Sequence, residues 1–181
     1  MADVPRKPRE DVAGAVHHVY ARGNGKQRIF FAAGDRAMYL SMLARTVART
    51  RWRCLAYCLL DNHVHLLVET PHANLADGMQ RLHSGYAQWL NQRTGRCGHV
   101  FQGRYGAKRI TTDAQLWVTV RYIAQNPVDA GLVSAADAWI WGSHRAVVEA
   151  TEPSWLDVRR LLELFGGAGG APLRRYREMV G

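Results

Sequence analysis

The sequence predicts an α+β fold with an antiparallel sheet, on three observations. Apolar runs flank Asp61-Asn62, apolar residues recur every three or four positions in two long segments, and extended-type runs lie before, between and after those segments. Asp and Asn side chains bond their own backbone and tolerate the left-handed conformation of a tight hairpin turn, so residues 53–60 and 63–69 read as two antiparallel strands. Side chains alternate along a strand. His63 and His65 therefore share one face, and Val64, Leu66 and Val68 share the other. The apolar face suits a core. The other carries two imidazoles, each able to offer a neutral ring nitrogen to a divalent metal, although two histidines near a strand end are more often surface residues than ligands.

Taken in order, residues 1–12 are charged, hold two prolines and show no periodicity, which predicts a basic flexible arm. Val16 to Tyr20 reads as a strand ending in Arg22-Gly23-Asn24-Gly25, and Lys26 and Arg28 add charge there. Such a loop, with backbone amides and cations, suits phosphate contact and suits an ordinary turn almost as well. Asp35 can cap a helix whose stripe is Met38, Tyr39, Met42, Leu43 and Val47, and Arg45, Arg49 and Arg51 trail its C-terminal half, where the dipole favours cations. The hairpin follows, and Pro71 stops its second strand. Asn74 then caps a long helix with the stripe Leu75, Met79, Leu82, Tyr86 and Leu90, ended by Gly95. A glycine-punctuated segment leads into a basic strand through about Ile110, with Arg104, Lys108 and Arg109. The order is β-α-β-β-α-β, the ferredoxin-like pattern with two helices on one face of the sheet. The opposite face is left to be covered or used.

A third helix begins at Thr112 or Asp113 and is expected to end near Gln125, because Pro127 opposes continuation. Its apolar stripe is Leu116, Trp117, Val120, Ile123 and Ala124. Tyr122 and Asn126 point away from that stripe and share a face, being four residues apart. Tyr122 either packs on another element or presents its phenol to a substrate. In the second case the Asn126 amide oxygen could complete a metal's oxygen–nitrogen ligand set. These elements make one domain over residues 13–133. Residues 134–165, with Trp139, Trp141 and a helix around Leu156 to Phe165, form a C-terminal extension, and residues 166–181 form a Gly-rich linker and basic tail.

At 181 residues and 48% apolar content the chain has the makings of a single globular core. It lacks an apolar run of membrane-spanning length, and its polar N-terminus lacks the apolar core of a signal peptide, which places it in the cytoplasm. The formal charge of +9 suits a polyanion such as nucleic acid, as it also suits simple solubility. Cys54, Cys58 and Cys97 have neither the number for a disulfide scaffold nor the spacing, with His99, of a zinc knuckle, and read as free thiols.

Several motifs occur together and in order: Tyr20-Ala21-Arg22-Gly23-Asn24, Asn62-His63-Val64-His65-Leu66-Leu67-Val68, Gly98-His99-Val100-Phe101-Gln102-Gly103-Arg104-Tyr105, Arg121-Tyr122-Ile123-Ala124-Gln125-Asn126-Pro127-Val128-Asp129-Ala130-Gly131-Leu132-Val133 and Trp141-Gly142-Ser143-His144-Arg145. Over roughly residues 16–146 the chain thereby resembles the REP-associated tyrosine transposases, a branch of the HUH single-strand transposases. That resemblance implies an endonuclease and strand transferase that cuts and rejoins hairpin-forming single-stranded DNA through a 5′-phosphotyrosine. It implies Tyr122 as nucleophile, His63 and His65 as ligands of Mg²⁺ or Mn²⁺, and Asn126 as a third ligand. Arg22, Asn24, Lys26 and Arg104 are then expected near the DNA, with Tyr105 available to stack unpaired bases. A monomer and a homodimer both fit, so Tyr122 could act on its own or a partner's histidine pair. The competing expectation is a non-catalytic hairpin DNA- or RNA-binding protein descended from a transposase.

Overall fold

Among the described residues four strands and six α-helices carry the fold. The computed structural model describes residues 11–166 and 171–181; the expected N-terminal arm up to residue 10 and most of the Gly-rich linker lie outside the described residues. In chain order the elements are β1 (Ala15–Arg22), α1 (Ala33–Thr50), β2 (Arg53–Leu59), β3 (His63–Thr70), α2 (Leu75–Thr94), β4 (Gly106–Ile110), α3 (Asp113–Asp129), α4 (Ser143–Glu149), α5 (Val158–Leu164) and α6 (Pro172–Val180). The strands form one antiparallel sheet in the order β2-β3-β1-β4, the ferredoxin-like arrangement that the sequence predicts.

The hairpin turn closes through the Leu60 N–H bond to the His63 carbonyl, 2.9 Å. Neither Asp61 nor Asn62 has a positive φ. Side chains hold the turn instead: Asp61 pairs with Arg36 and, at 3.0 Å, with Arg28, while its carbonyl accepts from the Ile29 and Phe30 amides. One face of the sheet buries Val19, Val64 and Leu66 together with Tyr39 and Leu43 of α1 and Met79, Leu82 and Tyr86 of α2. This apolar layer is the main core and fixes the register of the central strands, since a slip by one residue would turn the histidines inward.

Helix starts differ in detail from expectation. Asp35 sits inside the first turn of α1, where its carboxylate accepts from the Phe31 and Ala32 amides at 2.6 and 2.9 Å. At α2 the Asn74 side chain is taken by Trp52 Nε1 and the Thr50 carbonyl, and the free amides of Leu75 and Ala76 donate to Asp11 instead. An acidic group at a helix N-terminus also complements its dipole. The Trp52 indole, thus anchored and 3% exposed, lies flat against Gly78. A Cβ at Gly78 would stand 2.1 Å from the ring. Gly78→Ala is therefore expected to lower stability by about 2–3 kcal/mol through overpacking, read as a lower urea midpoint with an unchanged slope.

Two further expectations are corrected. Helix α3 continues through Pro127 to Asp129. Proline removes one backbone donor, and in the last turn this costs a single bond, while the ring itself is buried. Trp117, expected in the buried stripe, is 45% exposed and stacks on Phe165, ring centroids 6.0 Å apart.

Beyond α3 the chain returns to the sheet edge. Trp141 and Ser143 accept from the Leu59 and Tyr57 amides at 3.0 Å each, and the Asp157 amide donates to the Cys54 carbonyl at 2.8 Å, so the outer edge of β2 is covered. Arg160 binds the buried Glu69 at 2.7 Å. Residues 172–180, expected within a basic tail, are helical, and α6 lies on α3: Gln125 donates to the Val180 carbonyl at 2.6 Å, and Tyr176 meets His144 at 2.8 Å. Cys54 and Cys58 are buried, Cys97 is exposed, and all three are free thiols. No described helix is long and apolar enough to cross a membrane.

Candidate functional site

Helix α3 crosses the sheet face that carries His63 and His65. Leu116, Val120, Ile123, Ala124 and Pro127 seat the helix, and this seating brings both off-stripe side chains over the histidines. Tyr122 is 45% exposed, its ring 5.1 Å from that of His65. Asn126 is buried, with Oδ1 at 3.1 Å from His63 Nε2. The His63 and His65 rings are edge-to-face at 5.1 Å. Within the chain, Tyr122 thus lies beside His65 and Asn126 beside His63.

The sequence reading missed a fifth member. His18 of β1 stands on the same face, its Nε2 at 3.0 Å from His65 Nδ1 and its ring 5.9 Å from Tyr122. Strand alternation held the signal, because His18, Tyr20 and Arg22 share one face, but only the pairing of β1 with β3 reveals which face. In that register Tyr20 lies opposite His65 and Arg22 opposite His63. Tyr20 rests on Gly106 of β4, where a Cβ would stand 2.3 Å from the ring.

Burial depresses the imidazole basicities here. His65 is pushed down to about 3 by desolvation, with further lowering from His18 and His63. His18 falls to about 4 through desolvation and the charge of Lys108. His63 is also lowered, by desolvation opposed by its Asn126 bond and helped by Arg22. Neutral rings at pH 7 are the form that can bind a metal.

Two further features fit a divalent cation. His65 Nε2 is buried without a hydrogen-bond partner. Asn126 Oδ1 and His63 Nε2 lie 3.1 Å apart, an oxygen and a nitrogen of the kinds that divalent cations take as ligands. Among the described residues no three His, Cys, Asp or Glu side chains cluster with metal-binding geometry; the set here is two imidazoles and an amide.

The expected nucleic-acid contacts divide. Arg22, Asn24 and Lys26 are exposed, and Lys26 shares a depression of about 370 Å³ with Arg28, Asn62 and His63. Four of the loop's amides are already taken: those of Gly23, Asn24, Lys26 and Gln27 donate to the Asn62, Val100, Gly23 and Asn24 carbonyls. Arg104 is exposed but lies elsewhere, with Tyr105, along a cavity of about 660 Å³ between α2 and the 98–105 loop. Tyr105 is a correction: 7% exposed and beside His83, it is poorly placed to stack bases. Gly106 pairs with Tyr20 on the histidine face, so its neighbour Tyr105 turns toward α2.

No curated protein matches the chain. The structure is similar to that of a REP-associated tyrosine transposase bound to a REP hairpin, with TM-score 0.68 and 17% identity over 86% of this chain and 93% of that one. A protein of Deinococcus radiodurans R1, assigned provisionally as a transposase, aligns at TM-score 0.46 and 14% identity over 69% of this chain and 96% of that one. The first similarity establishes a shared fold. The family model described as "Transposase IS200 like" matches residues 12–126, from the start of β1 through Tyr122 and Asn126 on α3, and the chain belongs to that family, the IS200-like transposases.

Proposed function

We propose that the protein is a metal-dependent tyrosine endonuclease and strand transferase that cleaves and rejoins hairpin-forming single-stranded DNA of the REP type. The observation that carries this reading is the meeting of an exposed phenol, Tyr122, with the ring of buried His65 in a site completed by His63 and Asn126. The fold shared with a transposase bound to a REP hairpin supports the substrate class.

In this reading His63, His65 and Asn126 hold Mg²⁺ or Mn²⁺. A cation held by these residues would supply Lewis-acid polarisation of a non-bridging phosphate oxygen. Tyr122 attacks phosphorus through its phenolic oxygen. As that P–O bond forms, the bond from phosphorus to the 3′-oxygen of the preceding nucleotide breaks, leaving the 5′-phosphate on Tyr122 and a 3′-hydroxyl free. A phenol ionises near pH 10 in water, so its proton must leave during attack; solvent takes it, and the departing 3′-oxygen acquires one. A second 3′-hydroxyl can reverse the step, joining strands and releasing Tyr122 without ATP. Arg22 and Lys26 supply positive charge to the DNA backbone beside His63, with Asn24 donating from the same loop. Tyr20, 38% exposed beside His65, offers the face for an unpaired base that Tyr105 does not.

The test is incubation of the purified protein with hairpin oligonucleotides from the repeats flanking its gene, with Mn²⁺ or with a chelator, resolved on a denaturing gel. A slow-migrating protein–DNA band formed only with metal is expected. Hairpin binding without cleavage would refute the proposal in favour of a non-catalytic binding protein.

A further inference from the structure

A ring nitrogen can hold a metal only through its lone pair, and a neutral imidazole has one such nitrogen, the other carrying the proton. Which nitrogen is free depends on what the other one touches. His63 has an amide oxygen at each ring nitrogen. Asn62 Nδ2 donates to the Lys26 carbonyl at 2.9 Å, which turns Asn62 Oδ1 toward His63 Nδ1 at 2.7 Å. Asn126 Oδ1 stands 3.1 Å from His63 Nε2, so each ring nitrogen of His63 faces an amide oxygen, and either can carry the proton.

For His65 the corresponding partner is another imidazole. We infer that His18 is a positioning residue, which accepts the Nδ1–H of His65 and so leaves the buried Nε2 of His65 as a lone pair for the cation. The inference rests on the metal-site reading above. Its geometric basis is the 3.0 Å contact between His18 Nε2 and His65 Nδ1 together with the unpartnered His65 Nε2. The opposite arrangement, His18 donating, would force a proton onto His65 Nε2. That would leave a buried N–H with no acceptor and remove the ligand. With Nε2 as acceptor, a cation satisfies it.

His18 is well fixed for this task. It sits mid-strand on β1, between Leu67 of β3 and Lys108 of β4, and its ring packs against Tyr20 at 5.5 Å and Tyr122 at 5.9 Å.

The test uses the full chain carrying ¹⁵N-labelled histidine, free of metal, and reads the protonated ring nitrogen by long-range ¹H–¹⁵N correlation. His65 is expected as the Nδ1–H form in the wild type and is expected to shift toward Nε2–H in His18→Phe. Mn²⁺ titration followed by electron paramagnetic resonance is expected to give about 10-fold weaker binding for His18→Phe. His18→Gln, whose amide oxygen can accept from Nδ1, is expected to stay within about 3-fold of wild type and guards against a merely structural effect. An Nε2–H His65 in the wild type overturns the inference, as does unchanged Mn²⁺ binding in His18→Phe when His63→Ala abolishes it. Unchanged Mn²⁺ binding in His63→Ala as well would instead overturn the metal-site reading, and the tautomer spectrum would then decide the role of His18 by itself.

Discussion

Tyr122→Phe is expected to abolish the covalent protein–DNA adduct and to reduce hairpin cleavage at least about a thousand-fold, the scale of losing a nucleophile. Hairpin affinity, measured by gel shift or fluorescence anisotropy, should stay within about twofold. The ring is retained, so its contacts with His65 at 5.1 Å and His18 at 5.9 Å survive. Only the hydroxyl is lost, and among the described residues no hydrogen bond to that hydroxyl holds the fold together. The separation of a large chemical effect from a negligible binding effect distinguishes a nucleophile from a DNA contact. Cleavage that persists in this variant would mean that water attacks.

The second large effect belongs to His65. Its replacement by Ala is expected to remove a ligand from a site that keeps only His63 and Asn126, and to cost about 100-fold or more in Mn²⁺ affinity with a matching loss of metal-dependent cleavage. Calorimetric titration checks the first and the gel assay the second. The depressed basicities add a pH signature. Protonation competes with metal for the same nitrogen, so a histidine titrating near the ordinary imidazole value of about 6.5 would lose affinity steadily as pH fell through it. With His65 at about 3 and His63 also lowered, competing protons arrive only in more acidic solution. The fall in Mn²⁺ affinity on acidification is accordingly expected to begin at lower pH than the ordinary imidazole value would set. A fall in affinity that is centred at or above about pH 6.5 would contradict these environments.

The architecture was legible where periodicity is decisive. Alternation along residues 63–69 separates the histidine face from the core face, and the stripes of α1 and α2 match residues buried in the structure, including Tyr39, Leu43, Met79 and Tyr86. Helix α3 was legible in direction, since Tyr122 and Asn126 fall on one side of it, but not in extent or environment. The structural tolerance of Pro127 depends on its place in a last, buried turn, and the burial of Asn126 depends on the sheet beneath it. His18 was hidden for a related reason. Its partner is 47 residues away, and the strand pairing that joins them is not written locally in either strand. The cap supplied by Asp11 to α2, 64 residues on, is another such long-range substitution, with Asn74 diverted to Trp52. Tyr105 shows the converse: an aromatic beside a basic glycine-rich segment reads as a stacking platform until register turns it inward. Helix α6 has its partners on α3 and α4, so an isolated reading of its arginines suggested a tail.

Mass spectrometry of the trapped adduct tests the central claim most directly. The gel-purified protein–DNA band would be digested with nuclease and trypsin, and the peptide beginning at Tyr122 and ending at Arg145 examined for a residual nucleotide. The account predicts a nucleotide 5′-phosphate on Tyr122 and an unmodified peptide when metal is chelated. A cleaved hairpin with no modified peptide, or a nucleotide carried by a different residue, would contradict it.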